Sequence, residues 1–217
     1  MEILYCDDRV IVCVKPAGVL STDEPGGMPE LLRGELGDEG AVVKSVHRLD
    51  RTVGGVMVYA RTKRAAADLE NQILYGTFEK SYLAVVHGVP KENNGSLRHS
   101  LLRDRSARRT LVVPAGTAGA QEARLDYSIL EKGEGLSLLL IRLHTGRTHQ
   151  IRCQMSHIGH PIAGDRKYGD TEKPYSIALW SYEIRFEHPR TGAKMVFHRA
   201  PPEIEPWSEF SWNDPPV

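Results

Sequence analysis

Apolar and polar positions along this chain fall mostly into short runs of strand character, with helical spacing at only three places. Ile3-Leu4-Tyr5 and Val10-Ile11-Val12-Cys13-Val14 flank Asp7-Asp8-Arg9, which predicts a hairpin. Lys15-Pro16-Ala17-Gly18 then breaks the second strand. A short helix is expected near residues 28–36, and the run at 55–60 reads as a buried strand. Residues 63–75 have helical spacing, with Thr62 as N-cap, Gly76 as stop, and Ala66, Leu69, Ile73 and Leu74 as the apolar face. Residues 78–86 predict another strand, and further strands are expected at 121–131, 136–143, 177–187 and 194–199. Gly133-Glu134-Gly135 and Pro189-Arg190-Thr191-Gly192 supply turns between the last two pairs. Residues 148–158 predict a helix capped by Thr148 and stopped by Gly159, with Ile151, Met155 and Ile158 inward.

Many strands joined by hairpins, with few helices, predict an α+β fold: a mixed, largely antiparallel central sheet with flanking helices. No repeat or low-complexity linker divides the 217 residues, so a single domain over 1–217 is expected, with the proline-rich 201–217 as a surface tail. Apolar content of 41% is enough for an ordinary core, so neither disulfide nor metal is required to hold the fold. The odd set Cys6, Cys13 and Cys153 contains no close pair. No run approaches a membrane span, and the N-terminus lacks the basic-then-apolar order of a signal peptide, so a cytoplasmic protein is expected.

Charge changes the picture through its distribution. The 28 Lys and Arg balance 28 Asp and Glu, which argues mildly against a nucleic-acid binder. Yet residues 98–109 hold Arg98, Arg103, Arg105, Arg108 and Arg109 against Asp104 alone, and residues 142–152 hold Arg142, Arg147 and Arg152 with no acid. Such local faces bind anions in a neutral protein, although solvated loops would look the same.

Three places are candidates for chemistry. In His47-Arg48-Leu49-Asp50-Arg51-Thr52-Val53-Gly54-Gly55 a single carboxylate stands among basic neighbours, which favour its ionised form. A turn aspartate in a surface salt bridge has the same surroundings. The glycine pair after it permits close approach of backbone or ligand. In Thr145-Gly146-Arg147-Thr148-His149-Gln150-Ile151-Arg152, a loop at a helix N-terminus would attract an anion, with Arg147 as a bidentate donor and Arg152 within reach of an acid. The same helix sets His149, Cys153 and His157 on one face, with His160 beyond its end, a spacing open to zinc but with no carboxylate close by. Tyr82, inside an apolar strand, reads as core or as a flat face for a base.

Taken together these segments resemble the RluA-type pseudouridine synthases over nearly the whole chain. Lys15-Pro16-Ala17-Gly18, His47-Arg48-Leu49-Asp50 and Lys80-Ser81-Tyr82-Leu83-Ala84 with Gly88 are similar to three family motifs. Thr145 to Arg152, with Gly159-His160-Pro161-Ile162 and Gly164-Asp165…Tyr168-Gly169, is similar to a further block. The resemblance implies isomerisation of a uridine to pseudouridine in ribosomal or transfer RNA. It implies Asp50 as the nucleophile, Arg152 as its cationic partner, and Tyr82 as the residue stacked on the flipped uracil. Arg48 would fill the gap left in the RNA, and His47, Arg147, His149 and Lys15 would help bind it. No metal and no organic cofactor is implied. The partner would be a structured RNA stem-loop, with no DNA and no membrane, and the protein a monomer. The usual hydroxyl after the nucleophile is replaced by Val53, which keeps open a non-catalytic RNA-binding protein of the same fold. The first motif begins at residue 15, so the catalytic domain is expected to select its RNA without an S4 domain ahead of it.

Overall fold

The structure is a computed structural model that describes residues 1–169 and 176–211. It divides into two compact units.

The first unit, Met1–Lys80 with Trp180–Pro201, holds β1 (Glu2–Cys6), β2 (Val10–Lys15), α1 (Met28–Leu36), β3 (Lys44–Ser45), β4 (Gly54–Ala60) and α2 (Lys63–Tyr75). Two later strands complete it, β10 (Leu179–Glu187) and β11 (Lys194–His198). The order is β1-β2-β4-β10-β11, with β3 also on β4. All pairs are antiparallel except β4 with β10. Every residue of β4 is buried, as expected of a strand covered on both faces. Val10, Val12, Val56 and Val58 pack with Phe78, Ile184 and Phe186 against α2.

Helix α2 begins where Thr62 accepts the Ala65 N–H at 3.0 Å and ends at Gly76 with φ 76°. Its buried face is Ala65, Ala66 and Leu69, with Ile73 at the margin. Leu74, expected inward, is 75% exposed. It lies five residues from Leu69, about 140° around the helix at 3.6 residues per turn, and so faces water.

The second unit, Ser81–Leu179 with Pro202–Val217, is built on β5 (Glu79–His87), β6 (Asn94–Asp104), β7 (Arg109–Val113), β8 (Gln121–Lys132), β9 (Leu136–Leu143) and α3 (Gln150–His157). Its strands run in the order β5-β9-β8-β6-β7, each antiparallel to its neighbour. The basic segment 98–109 is therefore a hairpin, in which Asp104 pairs with Arg109. Strands β6 and β7 are half-exposed, and their charged and polar side chains hid the period-two signal.

Two local expectations change here. The cap of α3 is His149 in the left-handed conformation (φ 55°), while Thr148 turns its carbonyl to the Thr110 hydroxyl at 2.8 Å. The Gln150 side chain supplies the acceptor instead, taking the Arg147 N–H at 3.0 Å. The segment after 201 does more than run over the surface. Trp207 and Phe210 are buried, and the Ser211 N–H donates to Glu131. Residues 212–217 of that expected tail lie outside the described residues. Among the described residues no helix is long and apolar enough to cross a membrane.

Candidate active site

Asp50 sits on the loop from His47 to Val53 that leads into β4, and it is half-buried between exposed Arg51 and buried Leu49. The Val53 N–H closes a turn on the Asp50 carbonyl at 3.0 Å. Val53 itself is buried, so the position that departs from the family pattern faces the core.

The loop after β2 holds this loop in place. Gly18 N–H donates to the Arg51 carbonyl at 2.7 Å, and Arg51 Nε returns to the Gly18 carbonyl at 2.8 Å. The Ser21 hydroxyl donates to the Leu49 carbonyl at 3.0 Å and receives the Leu49 N–H at 3.3 Å. Lys15, fully buried, joins both loops: Nζ donates to the carbonyls of Pro16 at 2.9 Å, Val19 at 2.7 Å and Arg51 at 3.3 Å. Gly18 was quoted only as part of the Lys15–Gly18 motif, and Ser21 was not singled out from the sequence.

Burial pushes the Lys15 ammonium down to about 8, and the Asp50 carboxylate pulls the other way. Below that pH three N–H groups meet three carbonyls and a positive charge stands near Asp50. Above it one donor and the charge are lost. A folded pKa below the unfolded value makes this group's contribution to stability rise with pH between the two, so an alkaline loss of activity would not come from Lys15 unfolding the protein. The expected result is a fall in kcat with its inflection near pH 8 in wild type and none there in Lys15→Met. An identical alkaline limb in both proteins would remove Lys15 as the titrating group.

His47, expected to bind substrate, is buried against Phe78 with ring centroids 5.4 Å apart. Its Nε2 accepts the Val58 N–H at 3.2 Å. Burial, with the Lys80 charge adding to it, pushes the imidazole down to about 3, so the ring is neutral and ties the loop to β4. Arg48, the next residue, is exposed. The glycine pair serves backbone approach. A Cβ on Gly54 would stand 2.5 Å from Trp180 Cζ3, and one on Gly55, at φ 124°, would stand 2.5 Å from Ser181 N.

In the second unit Tyr82 lies on β5 opposite Ile141 of β9 and is buried. Arg152 lies on α3, also buried, and its Nε and Nη2 donate to Asp165 Oδ2 at 2.8 Å and Oδ1 at 2.7 Å. Its guanidinium carbon is 5.3 Å from the centre of the Tyr168 ring. His149 Nδ1 is 2.9 Å from the Tyr168 hydroxyl, and exposed Arg147 donates through Nε to the Glu122 carbonyl at 3.0 Å. Asp165 and Tyr168 were quoted only as part of a motif. Nothing in the spacing marked them as partners of Arg152.

The helix face open to zinc is engaged residue by residue. Cys153 donates to the Thr110 carbonyl, His157 stands edge-on to His99 at 5.0 Å, and His160 Nδ1 donates to the His87 carbonyl. Among the described residues no three His, Cys, Asp or Glu come together as metal ligands.

Chemically, then, the chain offers a carboxylate on a loop fixed by a buried ammonium, a guanidinium fixed by a buried carboxylate, and an aromatic ring on a rigid strand. Residues 9–157 match the family model described as RNA pseudouridylate synthase. The chain belongs to that family. It is accordingly an RNA pseudouridine synthase, an isomerase, as the motifs implied. An uncharacterised RNA pseudouridine synthase of Bacillus subtilis, YlyB, is 34% identical over 94% of this chain and 70% of its own length. The ribosomal large subunit pseudouridine synthase C of Haemophilus influenzae is 33% identical over 91% of this chain and 64% of its own. The chain thus spans about two thirds of the length of these curated relatives. The solved structure of human RNA pseudouridylate synthase domain containing 1 shares the fold, with a TM-score of 0.79 and 24% identity over 94% of this chain and 84% of that one.

Proposed function

We propose that Asp50 is the nucleophile with which this synthase isomerises a uridine in a ribosomal or transfer RNA stem-loop. The observation that carries the reading is the Asp50 loop, a carboxylate held by hydrogen bonds from Lys15, Ser21 and Gly18 to the backbone on either side of it. Such support keeps a reacting group in a productive geometry. Asp50 attacks ribose C1′ or uracil C6. The bond from N1 to C1′ breaks, the freed base turns, a bond from C5 to C1′ forms, and the bond to Asp50 breaks with its electron pair returning to the carboxylate. The C5 proton is lost and N1 gains one, so the product is an isomer and no cofactor is consumed.

Tyr82 gives the flipped uracil an aromatic face, and Arg152 is the cationic group of the reaction. Arg48, exposed beside the nucleophile, fills the gap in the RNA stack. Arg147 and His149 contact the RNA, whereas Lys15 and His47 hold the loop. Flipping costs a few kcal/mol, least for a base already in a loop, which favours a stem-loop target. The name of the Haemophilus influenzae relative supports ribosomal RNA. The protein works as a monomer in the cytoplasm.

The test is a map of pseudouridine in ribosomal and transfer RNA from cells lacking the protein. One or more stem-loop signals should vanish and return when the wild-type gene is restored. Identical maps in both RNA classes would overturn the assignment of substrate.

A further inference from the structure

We propose that Asp165 is a positioning residue for Arg152, and that the pair acts as one catalytic unit. This rests on the reading of Arg152 as the cationic group of the reaction. The Asp165 side chain has no exposure and that of Arg152 is 9% exposed. Burying an ion pair is costly, and well-packed apolar residues often do as well or better for stability. A buried pair at this place is therefore better explained by orientation than by stability.

The geometry fixes the guanidinium in two ways. Its Nε–Nη2 edge is held bidentate by Asp165, which sets the direction of the plane, and its central carbon lies over the Tyr168 ring, 5.3 Å from the centroid, within cation–π range. With that edge engaged, the Nη1 corner points away from Asp165. The clamp is itself held. Asp165 Oδ1 accepts the N–H groups of Lys167 at 3.0 Å and Tyr168 at 3.3 Å. The Ser156 hydroxyl, on the same helix as Arg152, donates to the Tyr168 carbonyl at 2.6 Å. The Tyr168 hydroxyl accepts the Thr110 N–H at 2.6 Å, which ties the turn to β7. Gly169 closes the turn with its N–H on the Asp165 carbonyl at 2.8 Å, where a Cβ would stand 3.1 Å from Pro161. Each of these bonds places a carboxylate whose only side-chain partner among the contacts described is Arg152.

The test uses the full chain with Asp165→Asn and Asp165→Glu. Asn removes the charge at nearly constant shape. Glu keeps the ion pair, and with it the fold, but moves the carboxylate by one methylene. A misplacement on that scale costs on the order of a hundredfold in rate. Both variants should lose kcat by about that factor with KM for the RNA within about twofold of wild type.

In the Arg152→Met background, adding Asp165→Asn should lower turnover no further. Wild-type kcat in either Asp165 variant, while Arg152→Met is inactive, overturns the positioning role and leaves the reading of Arg152 standing. Full turnover in Arg152→Met overturns both. Failure of both Asp165 variants to fold would make Asp165 a residue of the fold, and would equally overturn the proposal.

Discussion

Asp50→Asn is expected to stop pseudouridine formation, with a loss of at least about a thousandfold in turnover, the scale on which enzymes fail when a nucleophile is removed. The amide has nearly the shape of the carboxylate but no charge, and it cannot form the covalent link to ribose or base. The fold should survive. What closes the turn is the Asp50 backbone carbonyl, and the hydrogen bonds that hold the loop come from Lys15, Ser21 and Gly18 to the carbonyls of Leu49 and Arg51. The reaction releases the proton from C5, so tritium loss from RNA labelled at that position reads turnover directly. An Asn variant with wild-type release and an intact circular dichroism spectrum would remove Asp50 from the chemistry.

Gly55→Ala is expected to be the most damaging small substitution in the first unit. Its φ of 124° is one that L side chains rarely adopt, and the added Cβ would stand 2.5 Å from Ser181 N and 2.8 Å from Ser181 C. Those atoms belong to the backbone of β10, paired in parallel with Gly54 and Gly55, so neither strand yields without losing the pairing. Strain and overlap together place the cost above about 4 kcal/mol, in the range reserved for disrupted cores and special backbone sites. Gly76→Ala is the control. It too has a positive φ, but a Cβ there meets nothing within 4 Å, so only the backbone strain remains, about 1 kcal/mol. Thermal melts and soluble yield separate the two. Equal, mild losses would show that β10 accommodates the methyl group.

These two positions also show what could be read from the chain beforehand. Helix α2 and the strands β2 and β4 were legible because long apolar runs, a threonine cap and a glycine stop all agree on them. The glycine pair was legible as a close approach, but the approaching partner lies some 125 residues on, as the bond from Ser181 Oγ to the Val56 carbonyl records. Strands β6 and β7 were lost among their charged side chains. Lys15 and His47 read as groups for RNA only through the family motifs in which they stand. Nothing in a sequence marks an ammonium or an imidazole whose partners are backbone groups of distant residues. The same limit hid Asp165, whose significance depends on being buried beside Arg152.

The first unit is assembled from the first 80 residues and from 180–201. A ribosome adding about 5–20 residues per second needs roughly 5–20 s to cross the intervening hundred. Through that interval the nascent chain carries β4 without β10 and the Asp50 loop without its finished strand support. The unit that bears the carboxylate thus begins first but waits for a strand made a hundred residues later, and in that interval the apolar edge of β4 is open to chaperones at the exit tunnel.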